Sequence, residues 1–166
     1  DASRPLGLGL STLFDGEGQQ PQRVTFIDQG RGGDVVYSAA SAARKGCAST
    51  GHSDGSGGEQ INHIHMAGGA ETLDQLVGGL KRGIWVNRFH YVNGLLDPPK
   101  ATMTGLTRDG CLYVEDGQPV GGFPTMRFTE SILEAFSRCD GLTELLTAVS
   151  SGWRDGGAFV VPSILL

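Results

Sequence analysis

Glycine constrains this chain more than any other residue type, because it accounts for 27 of the 166 residues. Together with 7 prolines, it makes up about a fifth of the sequence. Both residue types interrupt regular helices and mark turns. This composition argues against a helical bundle and favours short strands joined by many turns.

Several segments combine β-branched or alternating residues with flanking turn residues, which is the pattern of strands and hairpins. A glycine-rich turn at residues 29–33 predicts the first hairpin, and Asp109-Gly110 predicts a second. Asp116-Gly117 predicts the next turn. The predicted strands cover residues 23–28, 34–37, 84–92, 103–107, 111–114 and 158–166. The glycine-rich segment 51–58 predicts a flexible loop.

Helical spacing is clearest in residues 72–82, where apolar side chains recur at i, i+3, i+4 and i+7. Thr72 and Gln75 fit a capping box at its start. A short helix is predicted for residues 39–45, and a further one is predicted to begin at Thr129. Residues 142–149 continue a helical spacing of leucines.

Strands and helices in this order, with hairpins among them, predict an α+β fold. We expect a mainly antiparallel, hairpin-rich sheet, barrel-like or sandwich-like, with two to three helices. We expect residues 1–166 to form a single domain. Because the chain opens without methionine and closes on an apolar strand, we also expect it to be a segment of a larger protein.

Charge and cysteine content narrow the functional classes. The net charge is −5 and no basic stripe is present, which argues against a nucleic-acid partner. No apolar run approaches the ~20 residues of a membrane span, which argues against a membrane partner. Cys47, Cys111 and Cys139 are odd in number and widely spaced, which predicts reduced thiols in a cytoplasmic protein.

Three histidines form a candidate metal site. His63 and His65 would lie on one face of a strand, which is a common metal-binding spacing. His90 could supply a third ligand if the strands pair. The alternative is that His63 and His65 are surface residues beside a loop, and this pattern alone assigns no metal ligand.

Asp15 and Glu17 place two carboxylates two residues apart among glycines. They could bind a cation or a peptide amine, or act as an acid and base pair. The alternative is a turn whose side chains accept hydrogen bonds from its own backbone amides.

Arg88 and His90 fall on the same side of a predicted strand. We expect this strand to be central in its sheet, with these polar side chains facing a cleft. Such a pair suits an acidic or carboxylate-bearing partner. The alternative is that Arg88 pairs only with a structural carboxylate, such as Asp97 or Glu115.

No P-loop, GxSxG elbow or HExxH helix is present, so motifs alone do not identify an enzyme. Several stretches taken together nevertheless resemble, in order and spacing, the C-terminal part of the TldD/PmbA family. The stretches that carry this resemblance are residues 14–18, 43–46, 49–51, 81–93, 97–98, 104–110 and 126–135.

The resemblance implies a lineage of zinc metallopeptidases, also called modulators of DNA gyrase. TldD-like members carry a zinc-binding HExxxH helix in an upstream domain, and a cysteine near the C-terminus completes the site. The family implies TldD–TldE heterodimers in which the PmbA (TldE) partner lacks these ligands. It also implies hydrolysis of unfolded or modified peptides, including peptide-antibiotic precursors and an antitoxin.

This chain departs from the active pattern. It contains no HExxxH, and residues 153–160, where the cysteine is expected, contain none; Cys139 does not match that position. The resemblance is therefore closer to the PmbA/TldE side, and no catalytic residue is carried over. Zinc would belong to a partner chain or a missing N-terminal part. The alternative function is a non-catalytic binding or accessory protein in peptide natural-product maturation.

Overall fold

The computed structural model describes residues 13–150 and 157–166. The chain divides into two compact units. The first unit comprises Asp1–Ala67 with Leu146–Pro162, and the second comprises Gly68–Leu145 with Ser163–Leu166.

The helices are α1 (Ala39–Lys45), α2 (Leu73–Gly78) and α3 (Ile132–Ser137), and a short 3-10 turn covers Pro98–Lys100. The strands are β1 (Ile27–Asp28), β2 (Arg31–Gly32), β3 (His63–His65), β4 (Arg82–Trp85), β5 (Arg88–Asp97), β6 (Thr102–Arg108), β7 (Cys111–Glu115), β8 (Gln118–Phe123), β9 (Arg127–Ser131), β10 (Gly141–Ser150) and β11 (Ala158–Leu165).

In the first unit, a hairpin forms near the predicted position, but its strands β1 and β2 are only two residues long. The predicted second strand over residues 34–37 was wrong, because β1 pairs with residues 31–32, inside the segment predicted to be the turn. The turn between them contains Gln29 and Gly30, both with positive φ, as a type I′ hairpin turn requires. The predicted helix α1 is confirmed with its bounds. Ser38 caps its start, and Gly46 ends it in the left-handed conformation.

The predicted last strand is also confirmed, because β11 lies between β10 and β3 in one sheet. Its pairing with β3 is parallel, with Ala158 opposite His63. By contrast, the paired strands of the second unit, β4 to β9, are all antiparallel to their neighbours.

The second unit contains two antiparallel sheets, ordered β4-β7-β8 and β5-β6-β9. Val114 on β7 is fully buried, and Cys111 and Leu76 join it among the buried apolar residues. The predicted turn at Asp116-Gly117 is confirmed as the β7–β8 connection. The α+β class and the mainly antiparallel pairing are therefore confirmed. No sheet in the described part of the chain closes into a barrel.

The prediction of one strand over residues 84–92 was wrong, because β4 and β5 belong to different sheets. The Asn87 side chain lies at the break and donates to the carbonyls of Asp109 and Gly110 at 3.1 and 3.2 Å. The predicted hairpin at Asp109-Gly110 was wrong for the same reason. There β6 leaves one sheet and β7 enters the other, at two residues with positive φ.

The second predicted helix begins as expected but ends early. The capping box of Thr72 and Gln75 is present, yet α2 stops at Gly78. Arg82 already lies on β4, opposite Glu115 of β7. Paired glycines weaken the helix at this point, and the sheet takes over the backbone hydrogen bonds.

The C-terminal helix predictions were wrong in part. Thr129 lies on β9, and Ser131 rather than Thr129 caps α3. Ala135 is the buried residue of α3, whereas Leu133 and Phe136 are exposed. Residues 142–149 form strand β10, not a helix, because tertiary pairing overrides the helical spacing of the leucines. Within the described residues, no helix is long and apolar enough to cross a membrane.

Candidate functional site

The carboxylate of Asp15, in the first unit, is held by backbone amides. Its Oδ1 accepts from the amides of Glu17 and Gln19 at 2.9 and 2.8 Å, and its Oδ2 accepts from Ser53 at 2.8 Å. Partial burial by itself raises the pKa of Asp15. The amides of Ser53, Gln19 and Glu17 outweigh burial, so this pKa lies below its ordinary value. Asp15 is therefore ionised and ties its own turn to the segment around Ser53.

Glu17 is also engaged with the backbone, since its Oε2 accepts from the amide of Ala39 at 2.7 Å, at the start of α1. A carboxylate at this position satisfies an amide that has no partner within the helix. The binding role predicted for Asp15 and Glu17 stays a prediction. The geometry gives both side chains a structural use.

A small cavity of about 10 Å³, enough for one water molecule, lies beside these turns. His52 is the most informative residue in its wall, because only 4% of its surface is exposed. Its Nδ1 contacts Thr50 Oγ1 at 3.0 Å, and its buried Nε2 has no hydrogen-bond partner among the described residues. Burial lowers the pKa of His52, against opposing contributions from Thr50 and Asp15. The cavity is lined by Asp15, Pro21, Gly51, His52, Ser53, Gln60 and Asn62.

The residues of the predicted histidine site are placed as follows. His63 and His65 lie on β3, where His63 is buried and His65 is half-buried. His90 lies on β5 in the second unit. Within residues 13–150 and 157–166, no group of three or more His, Cys, Asp or Glu side chains could hold a metal ion. The described residues therefore do not fit a zinc site, and the three-histidine site stays an unsupported prediction. Residues 153–156, part of the segment where the family resemblance places a cysteine, lie outside the described residues.

Arg88 and His90 lie on β5, but the prediction that this strand is central was wrong. In the second unit β5 is an edge strand that pairs with β6 on one side. A positive φ at Tyr91 and a shift in register before Asn93 interrupt its alternation. Such irregularities are common on edge strands and interrupt the ladder locally.

The charged groups around Arg88 form a connected cluster. Arg88 Nε lies 2.5 Å from Asp109 Oδ2, and Arg108 Nε lies 3.8 Å from Asp109 Oδ1. Arg88 therefore has a carboxylate partner, although it is neither Asp97 nor Glu115. Arg108 Nη1 donates to His90 Nε2 at 2.6 Å. Since a guanidinium can only donate, His90 Nε2 is the acceptor in this contact.

Three residues of these two sites were not singled out by the sequence. His52 was not identified from the sequence because it lies in a glycine-rich segment that was predicted to be a flexible loop. In the structure, residues 51–53 of that segment are buried. Arg108 and Arg127, the latter on β9 opposite Leu106 of β6, were not identified because their placement beside this cluster depends on register across strands. Strand alternation could have placed them only once the pairing partners were known.

A family model described as the PmbA/TldA metallopeptidase C-terminal domain matches residues 1–166, the whole chain. The chain belongs to the PmbA/TldD family. The resemblance identified from the sequence is thereby confirmed. No curated protein matches the chain.

Solved structures with the same fold include two longer proteins. TldE from Thermococcus kodakarensis matches with a TM-score of 0.78 and 21% identity over 99% of this chain. A protein described as a modulator of a DNA gyrase from Thermotoga maritima matches with a TM-score of 0.76 and 17% identity over the whole chain. Both matches cover only 36% of the longer protein, so this chain spans about a third of their length.

Proposed function

We propose that this chain is the C-terminal domain of a TldD/PmbA-type zinc metallopeptidase assembly that acts on unfolded or modified peptides. The family match over residues 1–166 is the observation that carries this proposal. In this role the domain contributes contacts within a heterodimer and part of the peptide cleft. The zinc ligands belong to a partner chain or to the N-terminal part of the same protein.

The outer edge of β5 supports a role in association. Four large apolar side chains along this strand are exposed: Phe89, Tyr91, Val92 and Leu96. Tyr91 is 75% exposed. A ten-residue edge strand with such side chains favours unwanted pairing unless another chain segment covers it. A subunit contact or an extended peptide would satisfy its backbone groups and bury its apolar side chains.

Strand β8 is a useful reference for β5, because its residues do not favour pairing with another chain. It is also an edge strand, but Pro119 removes a backbone donor and Gly121 and Gly122 carry no side chains. Val120 is its exposed large apolar residue, with exposure close to that of Val92 on β5.

The three cysteines, Cys47, Cys111 and Cys139, are free thiols, which supports a function in the reducing cytoplasm.

The test is to co-express the protein that carries this domain with a TldD-like subunit that contains HExxxH. Light scattering would measure the complex, and an unstructured peptide would report hydrolysis with and without a chelator. We expect a heterodimer whose hydrolysis requires both chains. The 166-residue chain alone, with zinc added, should match the blank, because it contains no HExxxH to activate water.

A matched pair of variants locates the contact. Val92→Glu should weaken assembly or peptide binding by about tenfold, because it places a charge in a covered apolar strand. Val120→Glu should leave both unchanged. Equal effects of the two variants would remove β5 from the proposal. A stable monomer that binds modified peptides without any TldD-like subunit would instead favour the accessory function.

A further inference from the structure

Three arginines and a histidine share one face of the sheet β5-β6-β9. Arg88 is directly opposite Arg108, and His90 is directly opposite Leu106. Leu106 is in turn opposite Arg127 of β9. Residues opposite each other across a ladder, and alternate residues along a strand, point to the same side of a sheet. Arg88, His90, Arg108 and Arg127 therefore lie on one side, which we call the arginine face.

The positions of Arg88 and Arg108 lower the stability of the sheet. Like charges directly opposite each other destabilise an antiparallel pair, and Arg88 and Arg108 occupy such a position. Asp109 is the carboxylate that both guanidiniums approach, and the side chains of all three residues are about half exposed. One carboxylate among three guanidiniums leaves the arginine face cationic, on a chain whose net charge is −5.

Neighbouring carboxylates of the same strands are engaged elsewhere. Glu130 pairs with Arg138 at 2.6 Å, and alternation puts it on the other side of β9 from Arg127. Asp97 pairs with Lys100 at 3.6 Å, beyond the far end of β5. The arginine face is therefore not neutralised by these groups.

We infer that the arginine face binds an acidic segment of a peptide. This inference rests on the proposed peptide-handling function and names the chemistry of the peptide. Guanidinium groups bind carboxylates through paired hydrogen bonds. Strands lie about 4.8 Å apart, and alternate side chains of an extended peptide repeat about every 6.8 Å. Arg88 and Arg108 are one strand spacing apart, and Arg127 is two residues along on the next strand, so glutamate side chains at alternate positions of one peptide can reach more than one of the arginines.

A short acidic peptide fits this surface better than a nucleic acid. A long polyanion interacts with the field of the whole chain, and a net charge of −5 opposes it. A peptide that places two or three carboxylates on the arginine face needs only this local cluster.

The test compares two labelled peptides of equal length, one with glutamate and one with glutamine at alternate positions. Fluorescence anisotropy against the full chain should show binding of the glutamate peptide, weakened by salt, and at least tenfold weaker binding of the glutamine peptide. The triple variant Arg88→Gln, Arg108→Gln and Arg127→Gln should lower affinity for the glutamate peptide about tenfold. Arg44→Gln, at an exposed position of α1, is the control and should stay within twofold.

A measurement on the unaltered chain covers the case in which the triple variant fails to fold. Phenylglyoxal modifies accessible arginines, and mass spectrometry would locate the products. The glutamate peptide should protect Arg88, Arg108 and Arg127 but not Arg44. Equal binding of both peptides, equal protection of Arg44, or tighter binding of a single-stranded oligonucleotide of the same charge would overturn the inference. None of these measurements needs zinc or a second subunit, so their outcome is independent of whether the chain assembles into a peptidase.

Discussion

The two units of this chain use their charged side chains in opposite ways. In the first unit, Asp15 and Glu17 accept short hydrogen bonds from backbone amides, and Glu59 accepts from the buried Ser38 hydroxyl at 2.9 Å. In the second unit, Arg88 and Arg108 share the single carboxylate of Asp109 and stay half exposed. Charges that hold a loop in place are satisfied by the fold itself. Charges that the fold leaves in excess are available to bind a partner.

The backbone of the first unit should tolerate change least, and two glycines measure this. Gly51→Ala would place a Cβ 2.3 Å from the carbonyl oxygen of Gln20, at a positive φ of 69°. We expect it to lower the free energy of unfolding by roughly 3 kcal/mol or more, through the clash and left-handed strain together. Urea denaturation would measure the loss.

Gly30→Ala is the matched control for this substitution. Its φ of 76° is similar, but an added Cβ would meet no atom within 4 Å. It should cost only about 1 kcal/mol, the left-handed penalty alone. Equal losses for the two variants would show that the segment around Gly51 is not held closely against Gln20.

The Asp15 carboxylate should contribute more to stability than the Asp109 carboxylate. Asp15→Asn removes the charge that accepts from three backbone amides, and we expect a loss of about 1–2 kcal/mol at pH 7. Asp109→Asn should change stability by less than about 0.5 kcal/mol, because exposed ion pairs contribute little. Asparagine also tolerates the positive φ at this position. Thermal unfolding of both variants would compare them.

The Asp15 contribution should depend on pH with a defined sign. The folded-state pKa of Asp15 lies below its unfolded value of about 3.9, so this stability is fully present above that value. It is lost as the pH falls through the folded-state pKa. The difference between the unaltered chain and Asp15→Asn should therefore be constant from about pH 5 to pH 8 and shrink in stronger acid. A difference that grows on acidification would contradict this assignment.

The smallest effect on stability is expected for Arg88→Ala. The free energy of unfolding should change by less than about 0.5 kcal/mol, since Arg88 lies in an exposed pair. Val114→Ala, in the buried strand β7 of the same unit, should cost about 2 kcal/mol and serves as the reference. A loss at Arg88 comparable to that at Val114 would mean that Arg88 is structural, and the arginine face would lose a member.

Local chemistry allowed several elements to be predicted before any tertiary contact was known. The capping box at Thr72, the helix α1 ended by Gly46 and the turn at Asp116-Gly117 all depend on residues close in sequence. The last strand was predictable because its apolar, β-branched residues favour strands. The family resemblance was likewise carried by short segments in a fixed order.

Pairing across the chain decided the rest. The leucines at 142–149 have helical spacing, yet they form β10 because Thr143 bridges to Glu71 and β11 lies alongside. The Asp109-Gly110 turn has the residues of a hairpin but passes between two sheets, since Asn87 holds its carbonyls.

The candidate site shows the same division. The sequence alone identified Asp15, Glu17, Arg88 and His90 as chemically notable. Only the tertiary structure added the distant amides of Ser53 and Ala39 as partners of the two carboxylates. It alone also placed Arg108 and Arg127 on the same side of the sheet as Arg88. The physical reason is that side-chain type and short-range spacing are written in consecutive residues, whereas strand register brings together residues about 20 to 40 positions apart.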